Sequence, residues 1–386
     1  MEYIITTSQI PAIVFFKDND MKIKLFAAAA AALVSAGASA QSSVTMYGVA
    51  DAGIEWANKV PNTAGTEGNS RVSMQSGNGA MTGSRWGLRG VEDLGGGLKG
   101  IFNLESGFDI GRGESQDSRL FGRAAYVGLQ GQWGQVTLGR QTNLLYDFTT
   151  QYDPMALTSR YSIVSQDAAM GGRADNAIKY VGTFNGLTAS ALYSMRNDGQ
   201  EIAGNNKVGR EWSAGLNYAA GPFSVGAVYD QTNGNDVTTA DIKTQRATLA
   251  GTYAFGPAKL FAGYRWGHVT GLPAAIAATA SETRSNLYWL GAAYQATPAL
   301  SLTGAAYYQN YKVTGAGNPW LFVVGSDYAL SKRTDAYLNL AYAKNSSNAL
   351  LPVGVASDTT PLFSAPDGTT SSGNQMGAMV GIRHKF

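Results

Sequence analysis

The feature that most constrains this chain is an alternation with a period of two, running from about residue 43 to the last residue. In "GLTASALYSMR", residues 186–196, Leu187, Ala189, Ala191, Tyr193 and Met195 fall on one side of an extended segment. Thr188, Ser190, Ser194 and Arg196 fall on the other. Successive strand side chains point to opposite faces, so such a segment has one apolar face and one polar face. The pattern recurs in "EWSAGLNYA" (Trp212, Ala214, Leu216, Tyr218) and "FSVGAVYD" (Phe223, Val225, Ala227, Tyr229). It recurs again in "KLFAGYRW" (Leu260, Ala262, Tyr264, Trp266) and "DAYLNLAYAK" (Ala336, Leu338, Leu340, Tyr342). Wherever parity is clear, the charges stand opposite the apolar set: Arg85, Arg89, Glu105, Lys179, Arg196, Glu211, Asp230, Arg246, Arg265 and Asp335. A sheet wetted on both faces needs no such rule. A sheet facing hydrocarbon does, because Arg or Lys at mid-bilayer costs roughly 2–4 kcal/mol. A soluble sandwich also alternates, but its outer face carries more charge than a chain with 15% charged residues supplies.

Turn chemistry counts the strands. Seven tight connections rich in Gly, Pro, Asn or charge lie at 92–97, 131–134, 185–186, 220–222, 255–257, 296–298 and 330–333. Eight longer polar stretches lie between them, at about 57–79, 107–118, 142–175, 197–210, 231–244, 268–284, 312–319 and 345–374. Fifteen connections imply sixteen strands. Short and long connections in alternation, with an even strand number, predict an all-β fold: a 16-stranded antiparallel up-and-down transmembrane barrel. It must close on itself, because lipid offers no partner to an open sheet edge. Sixteen strands enclose water rather than a packed core. The last strand, "MVGIRHKF", keeps Val380, Ile382 and the terminal Phe386 on one face, with Arg383 and Lys385 on the other.

The N-terminal region reads as an export signal. In "MKIKLFAAAAAALVSAGASA", residues 21–40, two lysines precede an apolar stretch from Leu25 to Val34, and Ala38-Ser39-Ala40 ends it as a cleavage site. The apolar stretch is shorter than the ~20 residues a spanning helix needs. Met21 is therefore the expected start, residues 1–20 an extension from a mis-assigned start, and residues 41–386 the barrel. Removing residues 1–40 takes three basic and three acidic residues and leaves the net charge at +2. That charge draws no nucleic acid. The absence of cysteine excludes disulfides and thiolate metal sites, and no cofactor is expected.

Gly95, Gly97 and Gly100 match the G-x-G-x-x-G spacing of dinucleotide sites. Such a site needs a helix after the glycines, yet Phe102 and Leu104 alternate with Asn103 and Glu105. The glycines are expected to make a hairpin turn. An enzymatic barrel needs a His beside a nucleophile or acid. The two histidines sit at a strand end (His268) and at the C-terminus on the apolar parity (His384), and neither G-x-S-x-G nor H-E-x-x-H occurs. No enzyme is expected. A substrate-specific channel would show an aromatic track or a lysine cluster in the lumen. Inward Tyr47 and Tyr337 form no evident track, and most of the 20 tyrosines and 7 tryptophans read as girdles at the membrane interfaces. The Ser-, Asn- and Thr-rich stretch 345–374 suits a solvated loop, with adhesion as an alternative role.

"SVTMYGVADAGI" (43–54), "GSRWGLRGVEDLGGGLKGIFNLESGF" (83–108), "GRAAYVGLQGQWGQVTLGRQ" (122–141), "YALSKRTDAY" (328–337) and "GIRHKF" (381–386) together resemble the Gram-negative general porins of the β-proteobacterial and neisserial type. The resemblance implies a homotrimer of barrels in the outer membrane, among lipid and lipopolysaccharide, each passing small hydrophilic solutes and ions. It also implies that the third long loop, about 142–175, folds inward to narrow the pore. Asp147, Asp153 and Asp167 of that loop are then expected to face a basic cluster. Arg85 and Arg123 lie at positions the family uses, Arg140 enters the loop and Arg173 leaves it, with Glu105 inward near the same level. Arg140 has the wrong parity for its strand and needs a bulge or strand end. Arginine suits such a waist because it stays charged at working pH and presents a fixed fork. Four arginines against three aspartates and Glu105 predict a weak anion preference.

Overall fold

The computed structural model describes residues 43–60, 70–158, 160–272, 284–312, 318–344 and 374–386. The extension 1–20, the signal segment 21–40 and most of the 345–374 stretch lie outside the described residues.

Among the described residues, sixteen antiparallel strands close into one barrel. They are β1 (Ser43–Ala57), β2 in two pieces (Arg71–Ser76 and Arg85–Gly95), β3 (Leu98–Asp109), β4 (Ala124–Gly131), β5 (Gly134–Thr142), β6 (Arg173–Phe184), β7 (Leu187–Ser194) and β8 (Glu211–Ala220). Then come β9 (Phe223–Asn233), β10 (Lys243–Phe255), β11 (Ala258–Thr270), β12 (Arg284–Gln295), β13 (Leu300–Tyr311), β14 (Trp320–Ala329), β15 (Thr334–Lys344) and β16 (Gln375–Lys385). β16 pairs with β1 from Val49↔Lys385 to Ala57↔Gly377, and Gly48 and Phe386 exchange N–H···O bonds at 3.0 and 3.1 Å. The ring therefore has no free edge, which satisfies the backbone inside a membrane.

The seven tight turns fall where expected. Gly95, Gly96 and Gly97, at φ 84°, 61° and 81°, turn β2 into β3, so the G-x-G-x-x-G match is hairpin chemistry. One long stretch differs from expectation. Residues 57–79 are not all loop, since Arg71–Ser76 pairs with the end of β1 while Arg85–Gly95 pairs with its beginning. Short length and glycines on either side hide this piece from a periodicity reading. Arg196 also lies past the end of β7, bonded to the carbonyls of Asp198 and Gln200, rather than on the lumen face.

The outer wall is apolar: Met46, Ile54, Leu216, Leu249, Leu290 and Val380 are exposed there. Aromatic residues gather at both strand ends. Phe223 stacks near Tyr253 (4.5 Å between ring centroids) beside the short turns, and Tyr308 near Trp320 (4.4 Å) beside the long loops. These are the two interface girdles. His384 stands on this outer face, its Nδ1 2.9 Å from Thr334 Oγ1.

Candidate functional site

The lumen is narrowed by the segment between β5 and β6. It begins with helix α1 (Leu144–Tyr152), whose N-terminus is capped by the Asn143 side chain accepting from Tyr146 N–H at 2.9 Å. One face of α1 buries Leu144, Leu145, Phe148 and Tyr152. Phe148 meets Trp289 of β12 edge-on at 6.4 Å, and Trp289 Nε1–H donates to the Tyr152 carbonyl at 2.9 Å. Gly226 and Gly291 permit this approach. A Cβ at Gly226 would lie 2.7 Å from the Tyr152 ring, and one at Gly291 only 2.3 Å from Pro154. The loop thus forms a small apolar core against the inside of the wall.

Buried polar clamps fix the rest of the loop. Glu55 of β1, wholly buried, accepts from Arg160 Nη1 at 3.1 Å and from the Tyr161 hydroxyl at 3.0 Å. Asp153 accepts from the Tyr307 hydroxyl at 2.5 Å and from Leu157 N–H at 2.9 Å. Asp167 ion-pairs with Arg246 Nε and Arg265 Nε, each at 2.9 Å, and all three side chains are buried. The sequence places Asp153 and Asp167 opposite the basic cluster of Arg85, Arg123, Arg140 and Arg173. They are 3% and 0% exposed and clasp the opposite wall instead, because the loop turns back under itself after α1. Loop composition cannot reveal such a turn.

Burial pushes the Asp153 carboxyl up to about 6, against the hydrogen bonds from Tyr307 and Leu157 that favour its anion. The folded protein therefore holds this proton at pH values where an unfolded aspartate, near ~3.9, has lost it. The resulting stabilisation is present below about pH 4 and is lost as the pH rises through about 6. Asp153→Asn is expected to remove about 2–3 kcal/mol of that pH dependence. Denaturation midpoints of the two proteins at pH 4 and 7 check this; parallel curves would rule it out.

The other predicted residues converge. Arg123 Nε donates to Glu105 Oε1 at 2.7 Å, Arg85 Nε lies 3.7 Å from Glu105 Oε2, and the Tyr47 hydroxyl donates to Glu105 at 2.8 Å. Arg173 Nε donates to the Arg123 carbonyl at 3.0 Å, and its guanidinium lies 5.2 Å from the Tyr146 ring centroid. Asp147 pairs with Lys179 and accepts from Thr142 Oγ1 at 2.7 Å. Arg140 reaches the same face through the irregularity its parity required. The β5–β6 register shifts between Gly139 and Gln141, with Gly139 at φ 126°. Arg140 Nη1 then meets Asp175 at 2.5 Å, and Arg119 Nη1 meets the same carboxylate at 2.8 Å.

Lys179, Asp175 and Arg119 are members that sequence reasoning did not place at the site. Lys179 had the correct parity, which was a usable signal. Asp175 precedes Asn176 at φ 47°, a break in regular strand geometry, and Arg119 belongs to a long loop, so neither had a readable parity.

Two water-accessible spaces meet at this cluster. One, of ≈ 500 Å³, lies toward the short turns and is lined by Glu105, Gln135, Asp147, Lys179 and Ser190 among others. The second, of ≈ 340 Å³, lies toward the long loops, with Thr82, Arg85, Ala156 and Val164 on its walls. Arg123, Tyr146, Thr150 and Arg173 border both.

A family model described as Gram-negative porin matches residues 27–348. The chain belongs to the Gram-negative porins. It is 34% identical over 367 residues to an outer membrane porin protein of Bordetella pertussis, covering 84% of this chain and 95% of that one. It is 33% identical to outer membrane porin protein 32 of Delftia acidovorans, over 95% of this chain and all of the relative. Among solved structures, an anion-selective porin from Comamonas acidovorans superposes with a TM-score of 0.73 at 29% identity, covering 90% of this chain and 100% of the other. A trimer form of OmpT from Vibrio cholerae shares the fold, with a TM-score of 0.59 at 15% identity. This porin is an outer-membrane channel for passive diffusion, and the channels of its family are not enzymes.

Proposed function

We propose that this porin is a general diffusion channel with a preference for anions, working as a homotrimer among outer-membrane lipid and lipopolysaccharide, and that residues 21–40 are removed on export. The observation that carries the selectivity is the charge balance at the waist. Arg85, Arg119, Arg123, Arg140, Arg173 and Lys179 gather around Glu105, Asp147 and Asp175. With Asp153 and Asp167 drawn off to the wall, the positive excess is larger than the sequence suggested. Opposed fixed charges across a narrow passage also orient water, which slows apolar solutes relative to small hydrophilic ones. The anion-selective character of the Comamonas porin supports the same sign. The Phe223–Tyr253 and Tyr308–Trp320 contacts lie on the outer wall and so contribute nothing to a substrate track in the lumen.

Planar-bilayer recording tests this reading. Conductance steps are expected in groups of three, with a reversal potential in a KCl gradient that favours chloride. The preference should fade as salt rises, because the screening length falls to about 3 Å at 1 M. A potassium preference, or steps that arrive singly, would overturn the corresponding part.

A further inference from the structure

Where β8 and β9 leave the wall toward the long loops, two acidic side chains face each other, with Arg246 of β10 the nearest cation. Glu211 opens β8, and Asp230 lies near the end of β9; both are 1% exposed. Ser213, 2% exposed, is the register partner of Asp230 on the lumen face, and Glu211 shares that face two residues earlier. The two carboxyl groups are close enough to interact directly. Asn197 Nδ2 donates to Glu211 Oε2 at 3.0 Å. Glu211 Oε1, both oxygens of Asp230 and Ser213 Oγ have no hydrogen-bond partner among the described residues. Arg246, the register partner of Asp230, directs its Nε to Asp167. Arg246 and Arg265 both hold Asp167, so two guanidinium groups stand among three buried carboxyls, those of Asp167, Glu211 and Asp230. Asn143, at the root of the constriction loop, is adjacent to Glu211.

Two buried neighbouring carboxylates with three of their four oxygens unmet cost several kcal/mol, and a lone water would hydrate them without removing their repulsion. We propose that Glu211, Asp230 and Ser213 form a binding site for one calcium ion, which locks the root of the constriction loop to the wall. The donors are all oxygen, with no imidazole or thiolate, so the site suits a hard cation rather than a transition metal. Calcium fits better than magnesium because it accepts a bidentate carboxylate and an irregular shell, whereas magnesium demands near-ideal octahedral geometry and keeps its waters. The site lies at the end of the barrel carrying the long loops, and the ion would join β8, β9 and the root of the loop.

The full-length porin in detergent, stripped with EDTA and dialysed, is titrated with calcium chloride at pH 7. Bound calcium is measured by elemental analysis and thermal stability by circular dichroism. Glu211→Gln/Asp230→Asn keeps the shape of the site and removes its charge. The expected result is about one ion per wild-type chain and a calcium-dependent rise in melting temperature. The variant, still a folded barrel by its spectrum, should bind calcium roughly tenfold or more weakly and lose that rise. Equal calcium responses in both proteins would place the ion elsewhere, lipopolysaccharide included, and would overturn the site. So would no calcium response in the wild type, or a melting temperature that responds to pH alone, which would assign a shared proton to the pair. Should the variant not fold, Ser213→Ala serves in its place, with weakened calcium binding expected and unchanged binding overturning the assignment.

Discussion

Asp167→Ala is expected to release the constriction loop and raise single-channel conductance, with added current noise. Asp167 holds two guanidinium groups, Arg246 and Arg265, and all three are sealed from water. Removing the carboxylate leaves two buried cations without that partner. Breaking such an arrangement costs about 3–5 kcal/mol, far more than a surface ion pair contributes. The barrel itself should survive, because its strands are held by a closed ladder in which Asp167 has no part. The strain therefore falls on the segment from Ile163 to Gly172, while Glu55 and Asp153 still anchor the middle of the loop. The open-state current histogram reads the outcome, and limited proteolysis should expose a new cut in this segment. A variant with unchanged conductance, noise and protease resistance would show that the clamp does not hold the loop.

Arg123→Ala/Arg173→Ala is expected to remove most of the anion preference. These two arginines border both spaces, so ions on either side pass them. Their loss leaves Arg85 and Lys179 beside Glu105 and Asp147, with Arg119 and Arg140 tied to Asp175. Glu105 also loses its 2.7 Å partner and attracts cations more strongly. At a separation of about 4 Å and an effective dielectric of about 20, one charge acts on another with about 4 kcal/mol, so two deletions change the field a passing ion meets by several kcal/mol. Reversal potentials at low salt measure the change. Arg85→Ala should move selectivity the same way by a smaller amount, since its guanidinium is 3.7 Å from Glu105 and borders one space alone. A double variant that keeps the wild-type chloride preference would place the selective step away from the waist.

The alternation of single residues, with charge confined to one parity, determined the barrel and its closure, and turn chemistry determined its strand number. The physical reason is local: a strand in lipid must show hydrocarbon at every second position, and each violation is costly wherever it occurs. Leu187, Ala189 and Ala191 on one side of β7 already contain that information. The same parity marked Arg85, Arg123, Glu105 and Lys179 as inward, and its failure at Arg140 pointed to the irregularity at Gly139.

The destinations of the loop acids were decided only by the tertiary structure. Asp147, Asp153 and Asp167 are chemically alike in sequence, yet the first lines the water, the second is buried against Tyr307 and the third against two arginines. A loop has no period, so its side chains carry no parity, and the partners of Asp153 and Asp167 come from strands 79 to 154 residues away. What fixes them is the packing of α1 on the inner wall, where Gly226 and Gly291 leave room for Tyr152 and Pro154.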